Sequence, residues 1–206
     1  MNLHRLLRIR EAEKRPIRIA MIGAGKFGSM FLSQVPKTPG LHVVGIADLS
    51  VPRARAATQR VGWAEGATAA RSIDDALAKR TTWVTEDART LVADPRIEVV
   101  VEATGDPAAG ISHALMAIAA AKHVVMVNVE ADVLAGPALA AEAAAKGCVY
   151  SLAYGDQPEL TAEMVEACAR NGIRLHGPGR SHKAGVCHRL VVEDYALPGD
   201  IVVLTD

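Results

Sequence analysis

The sequence predicts an α/β fold, a doubly wound and mostly parallel sheet with helices on both faces. Three observations carry that prediction. Strand-like and helix-like stretches alternate with few residues between them. The strand candidates IRIAMI, HVVGIA and IEVVVEAT are apolar in near-continuous runs, as strands covered on two sides are. Half of the 206 residues are hydrophobic, yet aromatic residues make up only 3%. A core of Ala, Val, Leu and Ile suits Ala-rich helices packed closely on such a sheet.

The elements follow in order. The opening MNLHRLLRIREAEKRPIR is basic but lacks an apolar signal core and contains Glu11 and Glu13. It reads as a short amphipathic helix leading into the first strand, not as a targeting peptide. IRIAMI (17–22) is that strand, and KFGSMFLSQVP (26–36) a helix that Pro36 helps stop. HVVGIA (42–47) is the second strand, followed by a helix near 51–62. Residues 63–80 read as an insertion, helical around IDDALAKR; TTWVTE (81–86) is a short strand and DARTLVAD (87–94) a short helix ended by Pro95.

IEVVVEAT (97–104) is the fourth strand, and PAAGISHALMAIAAA (107–121) a long Ala-rich helix. KHVVMVNV (122–129) is the fifth strand, GPALAAEAAAKG (136–147) a helix with a glycine at its end, and CVYSLA (148–153) the sixth strand. PELTAEMVEACARNG (158–172) is a helix opened by Pro158 and closed by Asn171-Gly172, with IRLHG as a strand after it. From Gly177 the pattern changes to a Gly- and Pro-rich stretch and two short β-like runs, HRLVVEDY and DIVVLT. The expected division is a domain over 1–176 and a short tail over 177–206.

Composition excludes several function classes. Lys plus Arg equals Asp plus Glu at 23 each, so overall charge points to neither nucleic acid nor a membrane surface. Cys148, Cys168 and Cys187 form no CxxC pair and read as reduced thiols of a cytoplasmic protein, with no metal site expected. No apolar stretch reaches 18 residues without a charge or a break, so no membrane span is expected.

The residues that carry chemistry begin at AMIGAGKFGSM (20–30). Gly23, Gly25 and Gly28 sit between a strand and a helix in the spacing of a dinucleotide fingerprint. The first allows a tight turn, the second a close approach of backbone to a pyrophosphate, and the third close packing of helix on sheet. Ala24, Lys26 and Phe27 share that turn and helix start, where backbone N–H groups and the helix dipole favour an anion. The second strand ends in Asp48, twenty residues beyond Gly28, where a carboxylate can accept both ribose hydroxyls of an adenosine. The pairing of glycines and acid makes the sheet Rossmann-like and the cofactor NAD or NADP. Asp48 favours NAD, while Arg53 or Arg55 in the next turn can reach a 2′-phosphate; the alternative for both arginines is a solvated helix face. A methyltransferase using S-adenosylmethionine is a further reading of the glycine loop, in a different acidic context.

Ligands of such sheets lie beyond the carboxyl ends of the strands. The fourth strand ends in Glu102-Ala103-Thr104-Gly105-Asp106 and the fifth in Asn128-Val129-Glu130, which should border the nicotinamide. Small residues at Ala103 and Gly105 let a ribose lie close to backbone, and Thr104-Gly105 otherwise make a simple turn. Asn128 can donate to a carboxamide or a substrate oxygen, or cap the strand end. Glu130 and Asp156 are the carboxylates placed for proton transfer, set against the common role of strand-end carboxylates as solvated or capping groups. Between Glu166 and Glu193, Arg170, Arg174, Arg180, Lys183 and Arg189 gather positive charge suited to a substrate phosphate, or else form a solvated tail. The lack of interleaved aromatics argues against nucleic acid.

IGAGKFGSMFLSQVP, GIADL, VNVEADVL and SLAYGDQP, with the whole of VVEATGDPAAGISHALMAIAAAKHVV, carry a resemblance over about residues 1–172. The chain resembles the N-terminal domain of homoserine-dehydrogenase-like oxidoreductases that carry a C-terminal SAF domain, a group that includes a reductoisomerase-like enzyme of deoxyxylulose 5-phosphate. The resemblance implies an NAD(P)-dependent, homo-oligomeric oxidoreductase with a small polar substrate, phosphorylated or not. It assigns cofactor roles to Gly23, Gly25, Gly28, Asp48, Thr104, Gly105 and Asn128. Two departures stand out. Homoserine dehydrogenases have a lysine directly after this asparagine, where Val129-Glu130 follow here. Family members are also about twice as long, with a substrate domain after the GDQP region. The expectation is therefore dinucleotide binding, with the alternative of a non-catalytic module or subunit.

Overall fold

The computed structural model describes residues 3–153. Helix α1 (Leu3–Ala12) precedes strand β1 (Ile17–Ile22). Then come α2 (Lys26–Gln34), β2 (Leu41–Ala47), α3 (Val51–Arg60) and α4 (Ile73–Lys79). The chain continues through β3 (Trp83–Thr85), α5 (Ala88–Ala93), β4 (Val99–Glu102), α6 (Pro107–Ala119), β5 (His123–Met126), α7 (Val129–Ala145) and β6 (Tyr150–Leu152). The six strands form one sheet in the order β3-β2-β1-β4-β5-β6, every neighbouring pair parallel. The order reverses between β1 and β4, which opens a crevice at their carboxyl ends.

Each face of the sheet buries its own cluster. Leu32 of α2 and Ala54 and Ala57 of α3 cover Ile19, Met21, Val43, Ile46 and Val101 on one side. On the other, α4 to α7 deliver Ile73, Leu91, Ala114, Ala117 and Leu139 onto Ala20, Ile22, Val44, Val100 and Val124. Small residues on the helices bring backbone close to the strands, so an apolar strand can be buried on both faces without large side chains. In β2, Val44 is an extra residue between the pairs Ile19–Val43 and Ala20–Gly45. Such a bulge switches which side of the strand each later residue faces.

Among the described residues five helices start on a side-chain cap. Ser50, Ser72, Asp87, Asp106 and Asn128 each accept a hydrogen bond from the backbone N–H three residues on. Such a cap contributes about 1 kcal/mol. The structure corrects one expectation here: β5 ends at Met126, and the following helix begins at Val129 rather than 136, running through Pro137. Asn128 starts it by capping, and Glu130 and Asp132 in its first turn suit the positive end of the helix dipole. Among the described residues no helix is long and apolar enough to cross a membrane. The helix expected over 158–172, the strand IRLHG, the two β-like runs, Asp156 and the basic stretch 170–189 lie outside the described residues.

Candidate functional site

The turn from β1 to α2 gives its three glycines different surroundings. Gly23 has φ +92°, and a Cβ there would stand 2.6 Å from the Ala103 carbonyl oxygen. A Cβ on Gly28 would stand 2.5 Å from the Gly23 carbonyl oxygen and 2.6 Å from Met21 Cε. Both positions are therefore glycine for reasons of backbone packing alone. Gly25 is different: it is exposed, with φ −71°, and a Cβ there would meet nothing within 4 Å. Gly25 is also the N-cap of α2, the one helix from α2 to α7 that starts with no side-chain cap. The first backbone N–H groups of a helix have no partner within it, so α2 offers donors and a partial positive charge to an outside group.

Asp48 ties this turn to the end of β2. Its side chain is 5% exposed; Oδ2 accepts from the Ala24 N–H at 2.9 Å and Oδ1 from the Ser50 N–H at 3.0 Å. Arg53 Nη2 donates to Oδ1 at 2.7 Å. Burial alone would raise the Asp48 pKa, but the Ala24 N–H, Arg53 and the Ser50 N–H together hold it below the usual carboxylate range. Arg53 thus has a specific partner and is not only part of a solvated helix face. Arg55 turns elsewhere and binds Thr68 through its carbonyl and its hydroxyl.

Gly23, Gly25, Asp48, Arg53, Ala103 and Thr104 line one cavity of about 160 Å³. Leu49, Glu86 and His113 line it too, and sequence reasoning had not singled them out. The signal available for His113 was that it is the single His in the Ala-rich α6. Glu102, fully buried at the end of β4, stands behind this wall and accepts from the Thr104 hydroxyl at 2.6 Å.

The other expected residues lie as follows. Lys26 and Phe27 are exposed on the first turn of α2, and Ala24 is buried with its N–H on Asp48. Gly105, at φ +77°, makes the exposed turn before α6. Asn128 is 2% exposed, and both ends of its amide are engaged internally: Oδ1 accepts from the Ala131 N–H, and Nδ2 donates to the Asp106 carbonyl oxygen at 2.8 Å. Its observed role is the capping alternative. Glu130 is exposed on the first turn of α7 and does not line the cavity.

A larger cavity, about 480 Å³, lies at the amino ends of the strands, against Leu41, His42 and Thr82. Three of the polar groups on or beside its wall are matched within the protein. Arg80 binds Glu11, His42 Nε2 meets the Thr81 carbonyl oxygen at 2.8 Å, and Trp63 Nε1 donates to the Leu32 carbonyl oxygen. Size alone therefore does not mark the site; open donors do.

Comparison with known proteins agrees with this fold. Residues 17–154 match the family model GFO/IDH/MocA, described as an oxidoreductase family with an NAD-binding Rossmann fold. Three solved structures are similar in fold. A homoserine dehydrogenase from Thiobacillus denitrificans is 23% identical at a TM-score of 0.53, over 66% of this chain and 29% of that one. An NAD-binding oxidoreductase from Klebsiella pneumoniae is 20% identical at 0.50, over 74% and 39%. A myo-inositol dehydrogenase from Lactobacillus casei, in complex with NAD(H) and myo-inositol, is 17% identical at 0.53, over 74% and 42%. The chain thus spans well under half the length of these structures. No curated protein sequence matches it significantly. The chain belongs, by the match over residues 17–154, to the GFO/IDH/MocA oxidoreductases with an NAD-binding Rossmann fold.

Proposed function

We propose that this chain is the cofactor-binding part of a homoserine-dehydrogenase-like oxidoreductase, and that NAD is held at the carboxyl ends of β1, β2 and β4. The observation that carries this reading is Gly25. Among the described residues nothing requires a glycine there, and the uncapped start of α2 beside it offers its N–H groups to an anion. A diphosphate supplies both reasons at once.

The residues fit the group. Gly25 and the first turn of α2 take the diphosphate, Asp48 the adenosine ribose, and Thr104 and Ala103 the inner wall. Asp48 favours NAD over NADP, because a 2′-phosphate would face its carboxylate. Arg53 binds that carboxylate, so accommodating a 2′-phosphate requires Arg53 to turn from Asp48 to the phosphate. When bound, the nicotinamide supplies or accepts the hydride, and the protein supplies binding and orientation. The substrate in this reading is a small polar carbonyl or hydroxyl compound, phosphorylated or not, and the working form a cytoplasmic homo-oligomer.

A second reading is a dinucleotide-binding module without turnover. It is favoured by the residues at the end of β5, where Val129-Glu130 provide no lysine and Asn128 is engaged internally. Titration with NADH and NADPH followed by a panel of hydroxy-acid and sugar-phosphate substrates separates the readings. Turnover by the purified chain supports the oxidoreductase; binding without turnover supports the module; no binding of either nucleotide contradicts both.

A further inference from the structure

Glu102 is a carboxylate with no exposed surface, set at the end of an apolar strand. Three groups converge on its Oε1: the Thr104 hydroxyl and N–H donate at 2.6 and 3.3 Å, and His113 Nδ1 stands 3.3 Å away. Its Oε2 is buried without a partner among the described residues. Buried carboxylates are costly and are retained where they organise something. The fold makes room for this one. A Cβ on Gly110 of α6 would stand 3.1 Å from Oε2 and 2.8 Å from Asn128 Nδ2, so only glycine lets α6 settle over the group.

What Glu102 organises is the cavity wall. Thr104 and His113 both line the space that Gly25 and Asp48 also line, whereas Glu102 stands behind it. A ring nitrogen facing a carboxylate carries the proton, so Nδ1 of His113 is the donor. The other nitrogen, Nε2, has no partner among the described residues, and in the neutral form of such a ring it is an acceptor. Within the cavity Gly25 marks the diphosphate end and Asp48 the ribose. Leu49 follows β2, and Glu86 and Ala88 follow β3, the strand on the Asp48 side of the sheet. Because they share this cavity with His113, it lies on the adenosine side and not, as the sequence suggested for the end of β4, at the nicotinamide.

We infer that Glu102 is a positioning residue and His113 a specificity residue. The carboxylate fixes the imidazole so that Nε2 accepts a hydrogen bond from the exocyclic amine of adenine. The inference rests on the dinucleotide reading above. It makes the site selective for adenine over hypoxanthine, whose carbonyl at that position presents a second acceptor to Nε2.

The test is a fluorescence titration of the full chain with NADH and with reduced nicotinamide hypoxanthine dinucleotide. The wild type should bind the hypoxanthine form about fivefold more weakly, the size of one hydrogen bond. His113→Leu should lose about that factor for NADH and bind the two nucleotides equally. Glu102→Leu should do the same, while Glu102→Gln, whose carbonyl can replace Oε1, should keep most of the discrimination. Equal binding of the two nucleotides by the wild type overturns the inference and leaves the dinucleotide reading standing, and it needs no variant to fold. An unchanged ratio in folded His113→Leu also overturns it, and an unchanged ratio in folded Glu102→Leu removes the role of Glu102. Binding of neither nucleotide by the wild type overturns both readings.

Discussion

At the amino ends of the strands, Glu11 holds Arg80 with both carboxylate oxygens and takes the Gly40 N–H, while Arg10 reaches Glu98 at 2.7 Å. At the carboxyl ends, α2 starts without a side-chain cap, and among the described residues Gly25 faces open space and Glu102 Oε2 lacks a partner. The amino end pairs its charged groups with each other, although the buried Thr81 Oγ1 there also lacks a partner among the described residues, and the carboxyl end leaves the start of a helix open. The amino end holds the larger cavity, yet Arg80, His42 and Trp63 on its wall are engaged internally. A binding site is thus marked by unmet hydrogen-bonding capacity more than by volume. If that is right, substitutions at the amino end should change stability alone, and substitutions at the carboxyl end should separate stability from binding.

The largest expected effect tests where the two ends behave alike. Gly28→Val drives a side chain into the Gly23 carbonyl, and Gly40→Val drives one into the Leu7 carbonyl, 2.1 Å from an added Cβ and at φ +76°. Each should lower stability by about 3 kcal/mol or more in chemical denaturation. Folded Gly40→Val should still bind NADH as the wild type does; loss of binding there would erase the contrast between the ends.

Asp48→Ala comes next. It should weaken NADH binding by about ten- to a hundredfold and leave the Ala24 N–H without its partner, at about 1–3 kcal/mol of stability. Gly25→Ala should be sharper in kind though smaller in size. Its backbone is unstrained and its surroundings empty, so stability should stay within about 0.5 kcal/mol of the wild type while NADH affinity falls about tenfold. Equal losses in stability and affinity would mean that Gly25 serves the fold.

At the other end, Glu11→Ala removes a partly exposed ion pair and a bond to Gly40. A loss of about 1 kcal/mol in denaturation, with no change in NADH affinity, is the expected result. The smallest effect is a pH dependence. Burial pushes the His42 pKa below its ordinary 6.5, opposed by the hydrogen bond to the Thr81 carbonyl. The unfolded chain therefore takes up that proton first. Stability present above about pH 6.5 is lost as pH falls through the folded-state value, and His42→Gln should flatten melting temperature against pH between about 7 and 5.

Much of this contrast was legible in the sequence. The six strands could be read because parallel strands buried on both faces are continuous apolar runs, and Gly23, Gly25, Gly28 and Asp48 because strand and helix are fixed locally around them. The start of α7 was not. The strand reads on through Val129 and the helix from Gly136, whereas the Asn128 cap begins the helix at Val129 and Pro137 falls inside it. The Glu102–His113 pair was hidden for another reason. Eleven positions and a turn separate them, and they meet only when α6 folds back over β4 across Gly110. Arg53 reaches Asp48 across the Ser50-capped turn, a contact that spacing alone leaves equal to a solvated face.

The central claim is that the open end of the sheet holds a dinucleotide. The direct measurement is an equilibrium titration of the folded chain with NADH, followed by nucleotide fluorescence and repeated on Gly25→Ala and Asp48→Ala. Saturable binding at one site per chain, weakened in both variants while their folds persist, is the predicted result. Absence of saturable NADH binding by the folded wild type, or equal affinity in all three proteins, would contradict it.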